Sequence, residues 1–204
     1  MGRNTGKAEV FREQYVKPTD KVPVPIIEIV ECDLNILPWP IKGLKQKIDI
    51  DGFLSKDLKE IFIDEDVYYD PRYESRLRFT FAHEAGHYVL HKEEIKGCTF
   101  RTEKEWIKFR EDMSEDDLFW FEQQAYEFAG RLLVPVKQLN IELQSHIEKI
   151  RIYADSYGKN GEDILIRALS RVIGNKFQVS EGVIQRRIRN EKTIAEMIND
   201  LLTN

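Results

Sequence analysis

The stretch DPRYESRLRFTFAHEAGHYVLHK, residues 70–92, decides how the rest of the chain is read. It predicts one long helix. Asp70 suits the N-cap, and Pro71 suits the first helical position, where a missing N–H costs nothing. Inside it, His83-Glu84-Ala85-Gly86-His87 has the HExxH spacing. Side chains at i and i+4 lie one turn apart on the same face, so two imidazoles there can grip one ion. Glu84 projects about 100° around the helix from His83. It is therefore placed to reach a water beside the ion as a general base, without being a ligand. Three of the chain's four histidines fall between 83 and 91, flanked by the apolar Phe79, Phe81 and Leu90. That concentration favours a metal site over scattered surface histidines. Gly86 costs a helix interior roughly 1 kcal/mol relative to alanine. The expected reason is close approach of another backbone.

A hydrolytic zinc site needs a third protein ligand and an open position. On a straight helix the three histidines spread over about 12 Å. They cannot all meet one ion, so His91 is expected outside the ligand set, as a neighbour of the ligands or a packing residue. A metzincin would carry glycine at 90 and histidine at 93; here these are Leu90 and Glu93, which excludes that pattern. The third ligand should come from a second helix, SEDDLFWFEQQAYEFAGRLLVP, residues 114–135. Ser114 can cap it, with Asp117 three residues on, and Pro135 ends it. Phe121, Ala125, Phe128, Ala129 and Leu132 trace its apolar stripe. Glu115, Asp116 and Asp117 sit in the first turn, where acids suit the helix dipole. Glu122 borders the apolar face. Glu127 lies some 140° around the helix from it, so both cannot face the ion. Spacing ranks Glu122 first without excluding Glu127.

Elsewhere the signals are weaker. VPVPIIEIVECDLNI, residues 22–36, reads as a short helix, with Ile26, Ile29 and Val30 at helical spacing. KQKIDIDGFLSKDLKEIFID, residues 45–64, alternates at Ile48 and Ile50 and again at Ile61 and Ile63, which predicts two short strands. Residues 93–113 read as a charged, irregular connection, and 136–204 as a succession of shorter helices. The expected division is a loosely held segment over 1–24, a core over 25–145 and a C-terminal helical part over 146–204. The class is α+β, mostly helical, with one small sheet.

Composition bounds the function. Of 204 residues, 42% are hydrophobic and 33% charged, the balance of a globular chain rather than a disordered one. A net charge of −5 gives no global basic field for nucleic acid or a membrane surface. The two cysteines, Cys32 and Cys98, form no CxxC pair and no disulfide framework. The N-terminus has no apolar signal core, and no run reaches transmembrane length. The reducing cytoplasm is the expected compartment.

Two motifs together carry a resemblance. RLRFTFAHEAGHYVLH (76–91) followed by FEQQAYEFAGRLLVP (121–135) resembles the ImmA/IrrE-type metallopeptidases, with similarity extending over about residues 25–140. The resemblance implies a zincin-like core, ligands at His83, His87 and Glu122, and Glu84 as catalytic base. Zinc is the implied ion, with manganese as an alternative. The sequence departs from the family at Tyr126, often asparagine there, and at Val134, often methionine. Tyr126 lies one turn beyond Glu122, so it is a candidate to touch the reacting water or an oxyanion; a packed aromatic is the bland alternative. Tyr88 has the same standing. Such peptidases typically cut a helix-turn-helix repressor of a mobile element or a stress response. The implied partner is therefore a separate repressor protein.

EDILIRALSRVIGNKFQVSEGVIQRRIRN, residues 162–190, offers a rival. A helix, a turn at Gly174-Asn175 and a second helix bearing Arg186, Arg187 and Arg189 have the outline of a helix-turn-helix. A basic stripe is more often a solvated or docking face, so a nucleic-acid role is disfavoured. The competing class is a non-catalytic metal-containing module, an antitoxin or scaffold.

Overall fold

The computed structural model describes residues 6–96 and 103–203. Against the expectation of a loose stretch over 1–24, Lys7–Tyr15 form helix α1. Ala8, Phe11 and Arg12 are buried, and the Phe11 ring meets Phe128 edge-on at 5.6 Å. The polar sequence hid three inward positions at helical spacing. Helix α2 (Ile26–Glu28) runs on as a π-turn over Ile29–Asp33. Strand β1 (Leu37–Ile41), helix α3 (Leu44–Ile48) and strands β2 (Gly52–Leu54) and β3 (Glu60–Asp64) follow. The sheet has the order β1-β3-β2, with β1 parallel and β2 antiparallel to β3.

One strand expectation needs correction, and one strand was not expected. Ile48 closes α3, and the strand starts only at Gly52, after Asp49 turns the chain at φ +55°. Three alternating residues were too few to separate strand from helix. Strand β1 went unread because its sequence is LPWPI. A proline has no N–H to give, but Pro38 and Pro40 share one side of the strand, away from β3. The Leu37 N–H on the other side donates to Lys59 O at 2.8 Å.

Helix α4 (Glu65–Tyr69) is capped by Asp64, which accepts from the N–H groups of Asp66 and Val67. Asp70 then caps a 3₁₀ turn, Pro71–Tyr73, which leads into α5 (Glu74–Leu90), the long helix expected from the motif. The span 93–113 is not irregular where it is described. It contains the end of α6 (Lys92–Lys96) and all of α7 (Glu103–Asp112). Cys98 lies outside the described residues. Helix α8 (Glu115–Leu133) begins at the predicted cap, where Ser114 Oγ accepts from Asp117 N–H at 3.1 Å. Helices α9 (Val136–Ser145), α10 (Ile147–Tyr157), α11 (Glu162–Phe177), α12 (Glu181–Asn190) and α13 (Lys192–Thr203) complete the chain. The turn before α12 is not at Gly174-Asn175, which stay helical; it falls at Gln178, with φ +53°.

Two arginines tie the ends of the chain to α8. Arg12 donates to Leu132 O at 2.9 Å, and Arg187 donates to Val134 O at 3.1 Å. Both are almost fully buried. Among the described residues, no helix is long and apolar enough to cross a membrane.

Helices α5 and α8 meet at Gly86. A Cβ there would lie 3.1 Å from both Cα and O of Ala125 and 3.2 Å from the Phe128 ring. This is the close backbone approach that a glycine inside the motif helix implied. Gly86→Ala should therefore destabilise the fold by about 1–3 kcal/mol, because overpacking outweighs the gain in helix propensity. Urea denaturation checks this; an unchanged or raised midpoint would mean that the crossing has slack.

Candidate metal centre

Helix α5 turns His83 and His87 toward α8, which brings Glu122 between them. His83 Nε2 lies 3.0 Å from His87 Nε2. Glu122 Oε2 is 3.2 Å from His83 Nε2 and 3.8 Å from His87 Nε2. An ion held tetrahedrally at 2.0–2.1 Å separates its ligand atoms by about 3.3 Å. The triangle thus has the dimensions and the N/O chemistry of a zinc-type donor set. Glu84 also comes close: its carboxylate and the two imidazoles offer ligand atoms within 4.8 Å of one another. A cavity of about 350 Å³ opens on this group, between Phe53 and Leu54 of β2 and Trp106 and Arg110 of α7.

The two glutamates sit in opposite environments. Burial pushes Glu84 up to about 8; the His83 charge and the Leu54 N–H offset only part of this. Burial would raise Glu122 as well. The hydrogen bond from His83, together with that ring's charge, outweighs it and holds Glu122 well below the usual carboxylate range. Burial drives His87 down to about 3, despite the Glu122 carboxylate nearby. His87 is therefore neutral and keeps a lone pair at neutral pH, as a metal ligand must.

The remaining candidates divide. Tyr126 lines the cavity one turn beyond Glu122, packed 4.7 Å from the Phe79 ring and covered by the Arg186 guanidinium at 4.2 Å. Tyr88 does not line the cavity and packs on the hydrophobic core. His91 lies behind His87, with the two Nδ1 atoms 2.9 Å apart. Glu127 points elsewhere, into an ion-pair group with Arg131 at 2.8 Å and Arg187 at 3.6 Å. Sequence reasoning missed Arg110. Its guanidinium is 3.7 Å from Glu122 Oε1 and 4.8 Å from the Trp106 ring centroid. The available signal was the i, i+4 spacing of Trp106 and Arg110, hidden by the charges around it.

Two imidazoles and a carboxylate converging beside a buried glutamate, at the mouth of a cavity, make this a metallopeptidase-type domain. A family model, Peptidase_M78, IrrE N-terminal-like domain, matches residues 45–189, and the chain belongs to this ImmA/IrrE family. No curated protein and no solved structure matches the chain.

The Glu84 shift makes a pH prediction for the metal-free protein. Its folded pKa stands above the ordinary 4.5, so folding takes up a proton between the two values. The stability this gives is complete below 4.5 and is lost as pH rises toward about 8. In chelator, thermal melts of wild type should fall relative to Glu84→Gln across this window and run parallel above it. Parallel curves throughout would place the Glu84 carboxyl in water.

Proposed function

We propose that the chain is a zinc-dependent endopeptidase that cuts a regulatory protein, with His83, His87 and Glu122 as ligands and Glu84 as general base. The observation that carries this is the His83–His87–Glu122 triangle, beside a buried Glu84 and facing a cavity. Bound zinc would supply positive charge to polarise the scissile carbonyl and acidify a water. The rest falls to the chain's own groups. Glu84 removes a proton from the attacking water and delivers it to the leaving amine. A cation beside Glu84 favours its carboxylate form, which readies it to accept that proton near neutral pH. Arg110 and Tyr126 border the cavity and are placed to contact the substrate backbone.

The substrate reading, a separate helix-turn-helix repressor of a mobile element or stress response, rests on the family resemblance. The alternative of DNA binding through α12 draws little support from its arginines. Arg187 is buried, Arg186 covers Tyr126 and bonds to Gln123, and Arg189 pairs with Asp163 at 2.9 Å.

Metal per chain and co-expression with candidate repressors test the proposal. Wild type and Glu84→Gln should both carry metal, while only wild type cleaves. Glu122→Ala should lose most of its metal. Cleavage that survives Glu84→Gln would sink the mechanism, and full metal retention by Glu122→Ala would remove Glu122 from the ligand set.

A further inference from the structure

Behind the ligands, on the side away from the cavity, a second set of contacts leads outward from His87. Its Nδ1 lies 2.9 Å from His91 Nδ1, and His91 Nε2 lies 3.2 Å from Gln124 Oε1. Each contact needs one hydrogen. A carboxamide oxygen only accepts, so His91 Nε2 carries the hydrogen that points at Gln124. His91 is 4% exposed and stacks on the Phe121 ring with centroids 4.2 Å apart. An imidazole so buried is neutral and has a single N–H. Its Nδ1 is therefore bare and can only accept. The hydrogen between the two rings then belongs to His87 Nδ1, which leaves the His87 Nε2 lone pair facing His83 and Glu122.

Rotation of either ring would undo this order, and Phe121 opposes it. Its ring lies 4.4 Å from that of His87, so one aromatic face braces both imidazoles. Gln124 and Phe121 stand on α8, as Glu122 does. One segment of α8 thus supplies a candidate ligand, the brace and the anchor of the hydrogen-bond chain.

We infer that His91 is a positioning residue: anchored by Gln124, it fixes His87 in its Nδ1–H tautomer and so presents the Nε2 lone pair to the metal centre. The purpose of this arrangement rests on the metal-binding reading above. The tautomer itself is a property of the metal-free fold and is tested separately.

Nitrogen-15 NMR of histidine-labelled, metal-free wild type should show His87 as the Nδ1–H form and His91 as the Nε2–H form. A hydrogen on His87 Nε2 would overturn the inference. Zinc titrations of wild type, His91→Phe and His91→Asn give the second measurement. Phenylalanine keeps the stack on Phe121 but offers no acceptor. Asparagine places an amide oxygen near the Nδ1 position and can accept from His87. Zinc should bind His91→Phe about 10- to 100-fold more weakly than wild type, the usual cost of losing a partner behind a ligating histidine. His91→Asn should stay near wild type. Equal binding by the phenylalanine variant, or an asparagine variant as weak as it, would overturn the inference. If His91→Phe fails to fold by circular dichroism, the tautomer and the asparagine variant decide. A wild type that takes up no zinc would overturn the metal reading instead and leave the tautomer assignment standing.

Discussion

At Gly86, helix α5 has no side chain, and the backbone of α8 comes into direct contact at Ala125. That contact lies one residue before His87 and three residues after Glu122, so the distance between the candidate ligands is set where the helices touch. Two helices held apart by ordinary side chains stand 8–10 Å from axis to axis. A glycine against an alanine allows closer approach. A larger residue at either position would widen the crossing and move Glu122 away from both imidazoles. The HExxH spacing places two donors; the helix crossing places the third.

Two carboxylates in one small site are held in opposite states by their surroundings. Glu122 receives the His83 imidazole and has a guanidinium at 3.7 Å, both favouring its charge. Glu84 has burial against it and the Leu54 N–H in its favour, with burial winning. Separation of this kind gives one carboxylate a fixed negative charge and leaves the other able to gain and lose a proton. The same burial that makes Glu84 costly in the metal-free fold makes it responsive to a cation nearby.

The motif helix, the second helix with its Ser114 cap and the apolar stripe on α8 were all legible, because each follows a local rule with a fixed period; Asp70 instead caps the 3₁₀ turn that precedes the motif helix. The ranking of Glu122 ahead of Glu127 rested on its place beside the apolar stripe; the 140° between them says only that both cannot face one point. What escaped the sequence depends on partners far along the chain. Strand β1 exists because β3 accepts it on the side where its prolines are silent. Helix α1 looked polar because three inward positions were diluted by six others. The roles of Gln124 and Arg110 arise from approach across the helix crossing and from α7, and the i, i+4 spacing of Trp106 and Arg110 does not say what that pair would face. His91 was placed outside the ligand set by helix rise alone, but its bond to His87 depends on rotamers and on the Phe121 ring.

The last turn of α8 has carbonyls that its own helix cannot satisfy. Arg12, from the first helix of the chain, takes Leu132 O, and Arg187, from near the last, takes Val134 O. The helix that carries Glu122 is thus closed off by residues separated by most of the polypeptide. During synthesis, α5 and α8 leave the ribosome well before residue 187. Until that arginine arrives, the end of α8 holds an exposed carbonyl and an unfilled socket beside Glu127. The two-helix core can form early, but its far end is sealed only once residue 187 is in place. This order ties the finished geometry of the centre to possession of an intact C-terminal region.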